Sequence, residues 1–462
     1  MLISRFKFIV ILRKFFFGTS AKGFVSTYLF FMFIGASMLR LPISLQSGQS
    51  LSWLDALFTS ASALSTTGLS TIVVKDTFTI FGQTVLIFII QFGGIGLIMM
   101  VSLFWLIVRK KINFKERTMI MTDQNQLSRQ GVVKFVRNVL IMIFTIELVG
   151  FILMTSYLFF AGYFPFKEAA FQAFFTTISL FTNAGFDIAP TGDSFAMFKN
   201  DYFMQTLGMS LMFMGAMGFW PLYELREFII AKRKREKFEF SLFAKVLVGM
   251  HLLIWIISAV LFMGLEFTHF LSDKAFFEGL YYTLFMTLTT RNAGFSTMNV
   301  NDLTSATQVF FVILMFIGSS PNSAGGGIRT TTLLLVILGI RAFAIGRDQV
   351  VIKQRSIKHD TVFKSFIVIF VAGSLIAFNL ILLTIFEPYS TTHLAFEVAS
   401  AFGTTGLSMG ITQNLTWIGK VVLIVTMFIG RIGILALVLM FKPSAGKVVN
   451  IIHYPEMDMI VG

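Results

Sequence analysis

Ser65-Thr-Thr-Gly-Leu-Ser70 is a short, polar, glycine-bearing stretch between two apolar segments, and a near copy returns as Gly403-Thr-Thr-Gly-Leu-Ser408. Two relatives lie between them, Thr182-Asn-Ala-Gly-Phe-Asp187 and Thr290-Arg-Asn-Ala-Gly-Phe-Ser296. Each follows a helix-like run of half-span length and precedes a long apolar one. The sequence thus carries one re-entrant element four times, centred on Gly68, Gly185, Gly294 and Gly406. A repeated loop that dips into a membrane is what an ion selectivity filter requires.

Composition sets the solvent. The chain has 462 residues, 56% hydrophobic and 13% charged, with a mean hydropathy of +0.81. Many apolar runs reach the roughly 20 residues that cross a bilayer. The expected fold is therefore an all-α polytopic membrane protein. Four helix–pore-loop–helix repeats surround a pseudo-fourfold axis, giving eight transmembrane helices and four re-entrant half-helices. Expected boundaries are a tail at 1–22, repeats at 23–111, 132–235, 241–345 and 358–442, and a second tail at 443–462. The half-helices are read at Leu51 to Leu64, Lys167 to Phe181, Lys274 to Thr289 and His393 to Phe402. The spans that follow the loops are read as continuous from Phe78 to Val108, Phe203 to Ile230 and Trp417 to Phe441.

A net charge of +14 suggests nucleic acid until its placement is considered. Basic residues cluster in the N-terminal tail, in Arg109 to Arg137, in Arg226 to Lys245 and in Arg341 to Lys364, while acids such as Asp76, Asp187, Asp193, Asp201, Glu266 and Asp302 populate the alternate loops. This alternation is the positive-inside pattern. It predicts both termini in the cytosol, the filter loops on the outer side, and lipid rather than nucleic acid as the partner. No cysteine is present, which excludes disulfides, thiolate metal sites and cysteine nucleophiles. The five histidines lack metal-ligand spacing. No glycine-rich phosphate loop appears, so no nucleotide or other cofactor is expected on this chain.

The spans after the loops also align. Gly93-Gly-Ile-Gly96, Gly215-Ala-Met-Gly218 and Gly430-Arg-Ile-Gly433 occupy matching places, with Gly318 as the third-repeat equivalent. Gly294 to Gly318 and Gly406 to Gly430 are both 24 residues, Gly68 to Gly93 is 25, and Gly185 to Gly215 is 30. Such spacing points to duplication.

A cation stripped of water needs oxygen ligands in its place. An extended loop supplies backbone carbonyls, and glycine permits the unusual φ values and the close approach that this needs. The expected ion-binding residues are Thr66, Thr67 and Gly68, then Asn183, Ala184 and Gly185, then Asn292, Ala293 and Gly294, and finally Thr404, Thr405 and Gly406. The threonine hydroxyls are expected to add ligands. Each half-helix would aim its carbonyl-rich, negative end at the pore.

Between Gly318 and Arg329 the third repeat breaks at Ser319-Ser-Pro-Asn-Ser-Ala-Gly-Gly-Gly327. Proline and a glycine triplet cannot continue an ordinary helix. With helix from near Ala306, Gly318 falls about 18 Å along it, near mid-membrane. Irregular backbone there must be buried in protein or line a wet cavity. Residues 319–327, with Ser323, Ala324, Gly325, Gly326 and Gly327 at their centre, are expected to form a gate across the conduction path. Arg431, inside the last apolar run, is expected to meet the carbonyls of Gly325 to Gly327, with pairing to Glu147 as the alternative. Arg291 is expected to brace its loop from behind the pore, and Glu147 to serve helix packing.

The chain resembles the membrane subunit of the Trk/Ktr/HKT superfamily of potassium transporters, most closely the Ktr branch. The resemblance rests on the four loops, on Phe181-Thr-Asn-Ala-Gly-Phe-Asp187, on Thr289-Thr-Arg-Asn-Ala-Gly-Phe295 and on Ser320-Pro-Asn-Ser-Ala-Gly-Gly-Gly-Ile-Arg-Thr-Thr-Thr332. It implies K+ at the filter, because glycine in all four loops goes with potassium preference and serine in the first relaxes it toward sodium. It also implies a homodimer with the C-terminal tail, Ile451 to Gly462, near the contact, and a gating role for Arg431. A separate cytosolic ring of nucleotide-binding RCK subunits, the KtrA type, would dock on the basic face. Flux would be passive or Na+-coupled, across the plasma membrane of a bacterium. Two rivals follow from the residues alone. A secondary transporter of another small cation or solute also has broken helices, but as two related halves. An intramembrane enzyme needs a nucleophile–base pair or a metal cluster, and neither is visible.

Overall fold

A computed structural model describes residues 20–108, 131–189 and 194–440. Most of the N-terminal tail, most of the basic Arg109 to Arg137 segment, Asp193 and the C-terminal tail lie outside the described residues. The described residues fold as sixteen principal helices in four sets of four. The first set is α1 (Ser20–Leu39), α2 (Trp53–Ser65), α3 (Ile80–Ile95) and α4 (Leu97–Ile107). The second is α5 (Val132–Phe160), α6 (Phe166–Phe181), α7 (Tyr202–Ala216) and α8 (Phe219–Lys234). The third is α9 (Leu242–Glu266), α10 (Phe276–Thr289), α11 (Ser305–Phe316) and α12 (Thr330–Ala344). The fourth is α13 (His359–Phe386), α14 (Thr391–Gly403), α15 (Trp417–Ile432) and α16 (Ile434–Met440). A two-stranded hairpin, Val351–Ile352 with Arg355–Ser356, joins the last two sets.

Each set follows one plan. A long apolar helix comes first, and α5, α9 and α13 are each long and apolar enough to cross a membrane. Their outward faces carry bare apolar side chains, among them Leu148, Val260 and Phe370. That is the reverse of a soluble protein and fits lipid as the solvent. A half-helix follows. α2, α6, α10 and α14 have only 13, 16, 14 and 13 residues and are buried over their C-terminal halves. Their buried hydroxyls turn inward onto backbone carbonyls, as Thr283 does to Gly279 at 2.8 Å and Thr287 to Thr283 at 2.6 Å. Small donors that satisfy themselves in this way let the half-helix enter a dry interior.

Helix starts are written in local chemistry. Ser52, Thr79, Asp201, Ser241, Thr304, Ser390 and Thr416 each accept an amide from the first turn of the following helix, replacing a partner that the helix cannot supply itself. The half-helices start one or two residues from the expected positions, which is the ordinary uncertainty of such boundaries.

The spans after the loops depart from expectation. Only the third was expected to break, yet all four do. α3 gives way to α4 at Gly96, with φ +99° and a bend of 102°. α7 gives way to α8 at Gly218, φ +99°, and α15 to α16 at Gly433, φ +90°. A glycine at positive φ cannot continue a right-handed helix, and other residues reach such conformations only under strain. The two glycines of each Gly-x-x-Gly motif therefore do different work. The first, Gly93, Gly215 or Gly430, lies so close to the last carbonyls of its half-helix, at Leu64, Phe181 or Phe402, that a Cβ would overlap them. The second, three residues on, turns the chain.

Candidate functional site: a glycine ring and the loop beneath it

Each half-helix ends in the same unusual way. The residue that opens the loop, Thr66, Asn183, Asn292 or Thr404, sits at positive φ of 54°, 52°, 81° and 52°. Asparagine tolerates this region. For β-branched threonine it is a true outlier, and such strain of about 1–3 kcal/mol persists where surrounding structure imposes it. The next amide then bonds back into the half-helix: Thr67 to Ser62, Ala184 to Ser179 and Thr405 to Ser400 at 2.8 Å, and Ala293 to Thr289 at 3.0 Å. The amides of Gly68 and Gly406 bond to the hydroxyls of Ser62 and Ser400, each at 3.0 Å. In the second repeat Ser179, at the same offset of six residues, donates to the Phe186 carbonyl at 2.7 Å. With these donors consumed, the loops are left presenting acceptors.

The four glycines converge. A Cβ placed on Gly185 would stand 3.2 Å from the Cα atoms of both Gly68 and Gly294, and one on Gly294 would stand 3.1 Å from those of Gly185 and Gly406. One on Gly406 would lie 3.0 Å from Gly68 Cα, closing the circle. The same hypothetical atoms locate the carbonyls. Gly68 faces the Ala184 oxygen at 2.7 Å and Gly185 faces that of Ala293 at 3.1 Å, while Gly294 meets that of Thr405 and Gly406 that of Thr67. Each loop thus sets one backbone oxygen beside the next loop's glycine, in the same rotational sense throughout. Above the ring opens a vestibule of about 710 Å³, floored by the four glycines.

The side chains expected to add ligands are turned elsewhere. The Thr66 hydroxyl donates to the Ala324 carbonyl at 2.7 Å, and that of Thr404 accepts from the Gly326 amide at 2.8 Å. Asn183 donates to the Met212 carbonyl at 3.3 Å. Asn292 donates to the carbonyls of Gly403 and Gly326. The Thr67 hydroxyl is 2.6 Å from that of Ser65. The positive φ at the loop's start aims the Thr66 and Thr404 hydroxyls at the segment below, while that of Thr67 pairs within its own loop.

That segment is the broken part of the third repeat. The chain leaves α11, runs out through Ser319 to Gly327 and returns, with Ile328 bonding back to Phe316 at 3.2 Å and Thr330 to Ser319 at 3.3 Å. From Ser323 to Ile328 it is buried. It touches all four sets. Ser320 and Ala324 donate to the Ala216 and Gly215 carbonyls at 3.1 and 3.3 Å, and its Asn322 carbonyl receives Phe219 at 2.7 Å. Gly327 donates to Gly430 at 3.2 Å. Thr66 and Asn292 supply the contacts to the first and third sets. The carbonyls freed where α7 and α15 break are thus occupied by loop amides. A helix end buried without such partners would be costly.

The break of α3 is served by a charge instead. Arg431 donates through one guanidinium nitrogen to the Gly93 and Gly94 carbonyls, and through the other to Ala324 and to the Thr66 hydroxyl at 3.1 Å. A cation at a helix C-terminus meets the negative end of its dipole, which accounts for an arginine at this depth. The expected contact with Gly325 to Gly327 is corrected: Arg431 reaches Ala324, and the Gly325 carbonyl belongs to Arg329. Arg329 also bonds Ser320 at 3.5 Å. Sequence reading missed Arg329, whose position just past the glycine triplet was the available signal. Glu147 does not serve as the partner for Arg431 in these contacts; its carboxylate accepts the Gln91 amide at 2.8 and 2.9 Å. Arg291 is 1% exposed and donates to the Gly318 and His251 carbonyls at 3.0 and 3.3 Å, bracing the loop from behind.

Residues 17–449 match the profile of the TrkH cation transport protein family. The chain is 39% identical to the Ktr system potassium uptake protein D of Bacillus subtilis, covering 93% of this chain and 94% of that one. It is 34% identical to the Ktr system potassium uptake protein B of the same organism, over 93% and 94%, and 31% identical to the potassium/sodium uptake protein NtpJ of Enterococcus hirae, over 96% of each. Among solved structures, the potassium transporter TrkH from Vibrio parahaemolyticus shares the fold, with a TM-score of 0.71 at 19% identity over 92% of this chain and 86% of that one.

Proposed function

Because the chain belongs to the TrkH family of cation transport proteins, we propose that it is the ion-translocating membrane subunit of a Ktr-type potassium uptake system. The observation that carries this reading is the closed ring of Gly68, Gly185, Gly294 and Gly406 with one carbonyl from each preceding residue. Four backbone oxygens at one level can replace the water lost by a monovalent cation. Side chains cannot intrude, since each would strike the neighbouring loop. K+ enters from the vestibule, passes the carbonyls of Thr67, Ala184, Ala293 and Thr405, and meets the 319–327 loop beneath.

That loop is the gate in this reading. It hangs under the ring by hydrogen bonds that a modest rearrangement could exchange, and Arg431 and Arg329 hold it by neighbouring carbonyls. Arg431 adds a positive charge on the ion's route and raises the barrier to passage. The cytosolic trigger is a separate nucleotide-binding ring, the chain works as a homodimer in the plasma membrane with both termini in the cytosol, and flux is passive or coupled to Na+. The relatives described as parts of a Ktr system support a separate partner subunit, and the one named for potassium and sodium supports a part for Na+.

The test is K+ flux into liposomes holding the purified chain, together with growth of a potassium-uptake-deficient bacterium on low K+. Uptake that prefers K+ over Na+, and that Gly68→Ser shifts toward Na+, is expected. Absence of K+ flux from well-folded protein, with and without a ring subunit, overturns the proposal.

A further inference from the structure

Two residues beyond each ring glycine the four loops place Ser70, Asp187, Ser296 and Ser408, all on the wall of the outer vestibule. Three of them are serines with internal partners: Ser70 to Ile72 at 2.7 Å, Ser296 to Met298, and Ser408 to Glu397. The second repeat alone puts a carboxylate there. One oxygen of Asp187 accepts the amides of Ile188 and Ala189 at 2.7 and 3.1 Å and the Gln172 side chain at 3.3 Å. The other is buried and has no hydrogen-bond partner among the described residues. Nothing in the local turn requires that second oxygen, because an asparagine carbonyl would accept the same three donors. A buried carboxylate oxygen without a partner is costly unless a positive charge compensates it.

We propose that Asp187 is the cation-capturing residue of the outer mouth, concentrating a partly hydrated monovalent cation at the vestibule floor before it enters the ring. The fourfold arrangement is thereby electrostatically uneven: the second repeat presents a carboxylate at this position itself, whereas the fourth keeps its Glu397 carboxylate behind Ser408 and Thr412. Among the described residues, the other charges on the vestibule wall are Lys75, Lys199, Lys274 and Asp302. Lys274 is held by Asp273 at 3.1 Å, which leaves Lys75 and Lys199 as the cations that compete with the permeating ion for the acid. A cavity walled by protein focuses such a field more than open water does. This inference rests on the reading of the ring as a K+ pathway.

The experiment measures K+ flux in liposomes against external K+ for the full chain, Asp187→Asn, Lys75→Gln, and Asp187→Asn combined with Ser296→Asp. Asp187→Asn keeps the turn and is expected to raise the half-saturating K+ concentration on the order of 3- to 10-fold, the effect of one unit charge several ångströms away at intermediate dielectric, with maximal flux preserved. Lys75→Gln is expected to lower it. Ser296→Asp restores the charge from another repeat and is expected to recover most of the loss, which repair of a local turn could not do. An unchanged half-saturation in Asp187→Asn, or a loss that Ser296→Asp leaves in place, overturns the inference while K+ flux by the unaltered chain still stands. Lack of flux in the unaltered chain would overturn the pathway itself.

Discussion

Gly68 and its three counterparts are held to glycine by one another rather than by their own loops. Their φ values, +95°, +68°, +75° and +93°, already disfavour other residues, and the adjacent carbonyl fills the space a Cβ would need. Gly68→Ser therefore has to push its loop away from Ala184. The expected outcome is a lower K+/Na+ flux ratio with expression largely kept, measured under bi-ionic gradients. Arg431 acts at the same scale with opposite sign. Replacing it by Gln removes the charge and weakens the hold on Ala324 and the Gly93–Gly94 carbonyls, so K+ flux is expected to rise severalfold; unchanged flux in protein of normal yield would count against a gate. Arg329→Gln is expected to raise flux as well. Both roles depend on partners far away in sequence. Arg431 and Ala324 are 107 residues apart in the chain, so no local pattern names the pairing.

At the scale of elements, the Gly-x-x-Gly motifs divide packing from turning. Gly433 has open space around it but φ +90°, whereas Gly218 has φ +99° and the Pro321 carbonyl 2.8 Å from a prospective Cβ. Alanine at Gly433 is expected to cost only backbone strain, about 1–3 kcal/mol. Alanine at Gly218 adds a clash with the 319–327 loop. Thermal midpoints in detergent should fall in both, further for Gly218→Ala, and only Gly218→Ala should also alter flux. Equal losses would mean that the contact with Pro321 is of no consequence. The serines six residues before the ring glycines make a second repeated device. Ser62→Ala and Ser400→Ala leave the half-helices intact but free the Gly68 and Gly406 amides, so the pair is expected to reduce ion discrimination more than stability.

Across the whole molecule, the ring has to be closed by the two ends of the chain. α2 of the first set packs on α15 of the fourth, and Lys420 meets Asp55 at 2.8 Å with both side chains mostly buried. Arg431 adds the second tie, from α15 to the carbonyls of α3. A double-mutant cycle on Lys420→Met and Asp55→Asn is expected to return a coupling near or above the roughly 1 kcal/mol of surface pairs, with loss of discrimination in each single variant. A coupling near zero would place closure elsewhere.

Hydropathy, charge alternation and four glycine loops were enough, from the residues alone, to indicate a helical membrane protein with re-entrant segments around an axis, because these features are local and repeat along the chain. The break after Gly318 was legible for the same reason, since proline and three glycines interrupt a helix wherever they stand. The breaks at Gly96, Gly218 and Gly433 were not, because a glycine that turns the chain looks the same as one that lets helices touch. Only the tertiary structure decided between those uses, and only it aimed Thr66 and Thr404 at the loop below, gave Gly325 to Arg329 and left an oxygen of Asp187 without a partner. The direction of a side chain and the identity of its partner follow from how distant segments meet, and that is settled when the four units close on one another.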